Sequence, residues 1–521
     1  MTLTLSINDA TDFIAGVALE QRDLYYDGDG NPVAVGPIQG DTMDSKSFNV
    51  FGKWGFDFSD TRRLEVLTSL FKLEGDGDYQ RSPGDMDQNI PATSIKGSEP
   101  GDPPENDAKN VSASYTDSNF ASGSLMVKAY YYDLYALYGG GTFGAVQDAS
   151  VAPEGELFDQ SALNSEKYGT KLTYLKNDVF WDGFQVVAGL DYLYDETYQD
   201  LVQTGRIWVP KMQFEGWAPY LQLEQAFQGD KLLISAGVRQ ENVTLNVPSF
   251  TTVASAGNTL VEGSSPNFSE LLVNAGVVYS VNDALTLYSS YSEGFNMPDA
   301  GLLLRAVNTP DQSVDDLVDL QPILADNAEL GLNYRLNRLT LSASYFESNS
   351  DLGGRIQVID GIGFVSREKT EVNGFELSAS YTTDQELEFG ANYAKLNGQY
   401  DSNDDGQVDR DLDGRNISPD RLNFWLQSPI ADGFFARVQY SHLFDRNFEG
   451  GLPENDFEGY QLVDFLLKYE TPTLGEFSLG IQNLLAEQYL TYYSQTVTFV
   501  NPNTFVAGRG RTLHLNWSKS F

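Results

Sequence analysis

The sequence predicts an all-β fold, a single large antiparallel barrel that crosses a membrane with its strands. Three observations predict it. Apolar residues recur with period two along nearly the whole chain, and tight polar turns alternate with long irregular connections. No stretch approaches the ~18 uncharged apolar residues that a membrane helix requires. The 521 residues include 48 Gly, 29 Tyr and 31 Phe, yet carry 74 acidic against 33 basic side chains, a net charge of −41. Mean hydropathy is −0.33. That length would otherwise suggest about three ordinary domains. The lack of cysteine excludes disulfides, thiolate metal sites and cysteine nucleophiles. The acidic surplus argues against a nucleic-acid partner, because phosphate binding relies on clustered Lys and Arg.

The strands are read in order. Met1 precedes the alternating Thr2-Leu3-Thr4-Leu5-Ser6-Ile7, with no basic n-region, apolar h-region or cleavage site, so no signal peptide is expected. Segments 12–27, 45–59 and 63–79 follow. Further on, Leu339, Leu341, Ala343 and Tyr345 oppose Thr340, Ser342 and Ser344. Phe375, Leu377, Ala379 and Tyr381 oppose Glu376, Ser378, Ser380 and Thr382. Phe434, Ala436, Val438, Tyr440 and Phe444 share one face, with Arg437, Gln439 and Ser441 on the other. The list closes with 460–473, 475–494 and 509–521, where Leu513, Leu515, Trp517 and Phe521 oppose Thr512, His514, Asn516 and Ser518. At ~9–11 residues per tilted membrane strand the pattern gives about 21 strands. An odd count is awkward, since an antiparallel sheet closes only when its end strands run oppositely. With Phe521 at the short-turn rim, 2–7 and 509–521 run the same way. A defect is expected there: an open slit, a short parallel contact, or 12–27 paired directly with the last strand.

The connections separate two rims. Asn8-Asp9-Ala10, Asp60-Thr61, Gln228-Gly229-Asp230, Asn282-Asp283-Ala284, Asn337-Arg338 and Thr383-Asp384-Gln385 read as tight turns. Between them lie 28–44, 80–108, 140–160, 246–266, 298–325, 402–417 and 495–508, rich in Asp, Gly, Pro, Asn and Ser. Membrane barrels pair short periplasmic turns with long extracellular loops; a soluble sandwich has no reason to alternate so regularly. Aromatics near strand ends, such as Tyr130-Tyr131-Tyr132, Tyr192 with Tyr194, and Tyr492-Tyr493, fit interfacial girdles.

Gly480-Ile481-Gln482-Asn483-Leu484-Leu485 with Tyr489, and Gly508-Arg509-Gly510-Arg511-Thr512 running to Phe521, resemble the last strands of TonB-dependent outer-membrane receptors. The resemblance is to the ferric citrate-hydroxamate (aerobactin-type) siderophore branch. Tyr291-Ser292-Glu293-Gly294-Phe295-Asn296-Met297-Pro298-Asp299, Ala325-Asp326-Asn327-Ala328-Glu329-Leu330-Gly331 and Val372-Asn373-Gly374-Phe375-Glu376 also match. So do Tyr26-Asp27-Gly28-Asp29-Gly30-Asn31 and Tyr168-Gly169-Thr170-Lys171-Leu172. The resemblance implies that residues 1–521 are a receptor barrel of the 22-strand type, with plug domain, TonB-contacting box and first strand missing. It further implies a bacterial outer-membrane location, a ferric siderophore as cargo, and TonB engaged only through the missing amino-terminal region. Outer-membrane lipid and lipopolysaccharide, and a monomeric state, complete the expectation; no enzymatic chemistry is needed. Rival readings are a receptor for cobalamin, haem or a glycan, and a passive porin, which usually has fewer strands, ~16–18.

Candidate site residues follow. Asp401, Asn403, Asp405 and Asp409, with Gly406 between, carry oxygen ligands at calcium-loop spacing, so loop 401–413 is a candidate Ca²⁺ site. Leu412 stands where a bidentate Glu is needed, and the bland reading is a solvated acidic loop. The two histidines, His442 and His514, are expected to be structural, and no G-x-S-x-G elbow supports hydrolysis. Because the cargo implied by the resemblance is anionic, Arg305, Arg355, Arg367 and Arg415 are the candidate ligand arginines. Tyr131 and Tyr198 are the candidate aromatic walls. The competing reading is that each arginine merely balances nearby carboxylates.

Overall fold

The computed structural model describes residues 2–8, 10–36, 43–86, 88–359, 362–448, 456–497 and 504–520, with only the backbone of 2–7, 318, 357–359, 362–364 and 497. One 22-stranded antiparallel sheet dominates. One member, Arg410–Asp411, is a two-residue piece beside Gln399 and Tyr400. The others form the wall. They are β1 Thr2–Asn8, β2 Thr11–Arg22, β3 Ser45–Ser59, β4 Arg62–Gly75, β5 Glu105–Phe120, β6 Gly123–Leu137 and β7 Ser161–Lys176. Next come β8 Phe184–Leu201, β9 Arg206–Phe227, β10 Leu232–Asn246, β11 Asn267–Ser280, β12 Leu285–Asn296, β13 Ile323–Leu336 and β14 Leu339–Ile359. The last are β15 Ile362–Thr382, β16 Glu388–Tyr400, β17 Arg421–Ala431, β18 Phe434–Leu443, β19 Tyr460–Thr471, β20 Gly475–Gln482 and β21 Thr512–Ser518.

Each wall strand pairs antiparallel with its neighbour in sequence, and the register follows the alternation. Across one outer row Leu426, Val438, Phe465, Ile481 and Leu513 stand opposite one another in turn. These side chains find no second layer: Leu426 is 41%, Val438 40% and Leu513 61% exposed. A row of apolar side chains this long suits hydrocarbon, not water. The other face is polar. There Arg239 reaches Asp191 (2.9 Å), and Arg63 joins Asp12 (2.7 Å) and Asp57 (2.8 Å) across strands. The alternation read from sequence therefore holds, with apolar residues outward and charge pairs inward.

The two rims differ as expected. Odd-to-even connections are short, such as Ala121-Ser122, whose φ of 48° and 63° make the left-handed two-residue turn that matches strand twist. Even-to-odd connections are long, with two exceptions, 202–205 and 360–361. In those places the strands lengthen instead, to 18 and 22 residues in β8 and β9 and 21 in each of β14 and β15. A tilted strand needs only ~9–11 residues to cross the membrane, so these two hairpins project beyond the long-loop rim.

The expected defect is present. Among the described residues β1 pairs with β2 and β21 with β20, and no ladder joins β1 to β21. Parity gives the reason: both edges run the same way, so they cannot continue the antiparallel ladder. Loops close the gap above. The connection 483–511 lies over the β2–β3 connection, where Gly510 N donates to Tyr26 O (2.8 Å) and Gly28 N to the Gln488 side chain (2.7 Å). The Arg509 guanidinium sits 3.7 Å from the Tyr25 ring. Two segments quoted above for their family resemblance, far apart in sequence, thus meet at the seam.

Candidate functional site

The long loops fold inward and build apolar cores of their own at the mouth. Connections 247–266 and 297–322 bury Val247, Phe250, Val261, Leu304, Val307, Val314 and Leu320 against Leu245 of β10. A helix, Ala300–Arg305, stands in that core; Asp299 caps it by accepting from Leu302 N (3.0 Å). It packs against both β9 and β15. The helix therefore lies across the mouth between strands well separated along the wall. Beside it, Val146, Leu201 and Val253 form a second core with Trp208. Arg206 fastens that region, donating to Val146 O (2.7 Å) and pairing with the fully buried Asp159 (3.1 Å). A third core of Leu412, Ile417 and Phe448 packs on Val372, Leu396 and Tyr400.

The four candidate arginines all lie at this mouth, in different surroundings. Arg355, on the projecting part of β14, makes a bidentate pair with Glu368 (2.8 and 2.9 Å) and stacks 4.1 Å from the Tyr400 ring. Arg415 pairs with Asp413 (2.7 Å) in loop 401–420, which is tied to β14 by Asn416 hydrogen bonds to Ile356 N and O (2.8 and 3.1 Å). Arg367 donates to Leu352 O (2.7 Å) and Pro322 O (3.4 Å). Arg305 ends the helix with its guanidinium 5.1 Å from the Trp208 ring centre. Burial pushes the Arg305 pKa down, against the opposing pull of Asp299 and Tyr138.

The two candidate tyrosines are placed elsewhere. Tyr131 shares a face with Leu125, Val127 and Ala129 and stands opposite Val111 and Tyr168. That is the outer, apolar face, where Tyr168 stacks on Tyr194 at 4.7 Å. Alternation thus turns Tyr131 into the girdle and away from a ligand in the lumen. Tyr198 sits on the same side of the β8–β9 projection, 5.0 Å from Lys211, which pairs with Glu196.

Loop 401–409 uses its acidic spacing for its own backbone. Asp401 accepts from Gly406 N (2.7 Å), Asn403 N (3.1 Å) and Asp405 N (3.3 Å). Asp409 accepts from Ser402 N (2.8 Å) and its hydroxyl (2.9 Å), and Asn403 and Asp405 accept from amides two residues on. Burial alone would raise Asp401; the backbone donors outweigh it and hold the carboxyl below the ordinary Asp range. Among the described residues no three His, Cys, Asp or Glu converge on a common point. His442 lies on Phe444 (4.1 Å) and His514 meets Gln482 (3.1 Å), on different strands.

Sequence reasoning missed Trp208 and Arg206. Both lie in the strand extension that replaces a loop, so neither a loop signal nor the alternation marks them.

A mouth of loops packed into cores of their own, set on an antiparallel wall, suits capture and passage. Known proteins agree. The ferric aerobactin receptor of Klebsiella pneumoniae is 25% identical across 99% of this chain and 75% of its own length. The rhizobactin receptor of Rhizobium meliloti is 21% identical across 97% of the chain and 72% of its own. In fold, the copper transporter OprC superposes with a TM-score of 0.75 at 16% identity, covering 97% of this chain and 76% of its own. The unliganded ferric citrate transporter FecA gives 0.71 at 14%, covering 99% and 74%. The family model described as TonB dependent receptor-like, β-barrel matches residues 54–484. With that match spanning most of the wall, the chain belongs to the TonB-dependent receptor β-barrel family, whose members are receptors and transporters rather than enzymes.

Proposed function

We propose that this chain forms the wall and mouth of an outer-membrane receptor that takes up a ferric siderophore, with passage through the lumen driven by TonB. The observation that carries the reading is the similarity to ferric aerobactin receptors along 99% of the chain. The mouth supports it: loops packed into apolar cores with stacked arginines suit a bulky anionic chelate better than small diffusing solutes. A passive porin is disfavoured because its barrel usually has ~16–18 strands and this wall has more. The apolar outer rows would face lipid, and the acidic loops would meet lipopolysaccharide through bridging divalent cations. The barrel would work as a monomer.

The test is competition binding to the chain refolded in detergent micelles. A ferric citrate-hydroxamate should bind saturably and resist displacement by haem, cobalamin or oligosaccharide. Preferential binding of one of those competitors would move the protein to another nutrient class. A calcium role for loop 401–413 rests on spacing alone. Titration calorimetry decides it, and no heat in millimolar Ca²⁺ leaves the carboxylates as turn acceptors.

A further inference from the structure

A cleft of about 610 Å³ opens on the outer wall, at the long-loop end of β2, β3 and β4. Alternation builds it. Leu19 stands opposite Phe48, Phe48 opposite Lys72, and Lys46 opposite Glu74, on the face that also carries Val17, Val50 and Leu70. The floor is apolar and open: Leu19 is 76% exposed and Phe48 38%. It runs on into the apolar rows below, through Val17 opposite Val50 and Val50 opposite Leu70. Lys46 and Lys72 leave their strands two residues nearer the long loops than Phe48 and Leu70. As diagonal neighbours on one face, the two lysines start roughly 7–8 Å apart.

Each lysine has carboxylates beside it. Lys46 pairs with Asp76 (2.5 Å), and Lys72 with Glu105 (3.1 Å) and Glu74 (3.4 Å). These pairs are open to solvent, with the lysine side chains 65% and 42% exposed, and such pairs hold weakly. A phosphate brings a higher charge and several acceptor oxygens to the same ammonium groups. Lysine suits the place because its stem lies along apolar surface while its head stays among polar groups. A free phosphate would leave the apolar floor bare, and an uncharged lipid would leave both lysines unmatched. An amphiphile with acyl chains and a phosphate matches both.

We propose that the β2–β4 cleft binds lipid A, the phosphorylated acyl anchor of lipopolysaccharide. Lys46 and Lys72 hold a phosphate, and Leu19, Phe48 and Leu70 carry the acyl chains. This rests on the outer-membrane reading above and deepens it. The contact is direct, needs no bridging divalent cation, and lies on one side of the wall, next to the seam.

Native mass spectrometry of the 521-residue chain in detergent micelles tests it. Three probes are offered in EDTA: lipid A, dephosphorylated lipid A and phosphatidylglycerol. The chain should retain lipid A, and the other two at least about tenfold less. K46Q/K72Q should lower lipid A retention by at least about tenfold, and K211Q, outside the cleft, by less than about twofold. A heat-modifiable gel shift checks folding of each variant. L19S, which touches no ion pair, carries the comparison if the double variant does not fold, and should also lower retention. Loss of lipid A in EDTA, equal retention by K46Q/K72Q or by L19S, or equal retention of either other lipid overturns the proposal. Iron chelates play no part in this readout, so its failure leaves the receptor reading standing. Retention through the two lysines by a chain that binds no iron chelate leaves the lipid site standing while that reading falls.

Discussion

Arg355 shows why an arginine at the mouth need not be a ligand contact. Its charge is satisfied twice, by a bidentate carboxylate and by the Tyr400 ring, and it joins β14 to β15 and β16. Replacing it with Met would leave Glu368 half-buried without its donor. We expect a loss of about 1–3 kcal/mol in urea unfolding of the micelle-bound protein, the usual penalty for an orphaned buried acceptor. An unchanged midpoint would show that the pair contributes nothing. Asp401 makes a second prediction at this scale. Its folded carboxyl is held below the ordinary Asp range, so its contribution is complete above about pH 4 and fades as pH falls through the lower folded value. Loop 401–409 should therefore resist pepsin near pH 4 and be cut at lower pH, whereas Asp401→Asn should already be cut at the higher one. Equal cutting of the two proteins would remove Asp401 as the organiser of the loop.

The elements that close the mouth are loops, and glycine sets how near they approach. A Cβ on Gly510 would lie 2.2 Å from Asp27 O, and one on Gly28 would lie 2.6 Å from Glu487 O. Both obstacles are backbone atoms that cannot rotate aside. Gly510→Ala should force the two connections apart and cost about 1–3 kcal/mol, the range for overpacking a tight contact. Amide exchange in 23–36 and 483–497 should speed up while the β17–β19 ladder keeps its protection. If exchange accelerates across the whole wall instead, the clamp is integral to the barrel and does not merely cover its seam.

For the molecule as a whole, the outer rows decide the solvent. Leu377, Leu426, Val438 and Leu515 stay more than a third exposed on a wall with no second layer, so folding should require detergent or lipid. A β-rich species whose gel mobility changes on boiling is the expected product. A monodisperse folded protein in plain buffer would overturn the barrel. Edge amides of β21 should exchange faster than those of β18, which is paired on both sides.

The sequence by itself determined the wall. Period-two alternation fixes which side of each strand meets lipid, and the turn residues fix the short rim, because both depend on neighbours no more than a few positions apart. Strand parity, a matter of counting, also made the seam defect legible before any coordinate. The mouth was decided by tertiary structure. Whether an arginine is paired depends on residues remote in sequence, as with Pro322 for Arg367, or Trp208 on β9 beneath Arg305 on the helix. Alternation could have turned Tyr131 outward from sequence, since it shares parity with Val127 and Ala129. The spacing of Asp401 could not show that its oxygens face backbone amides of the same loop, because calcium loops and self-capped turns place acidic residues alike and differ only in where the lone pairs point.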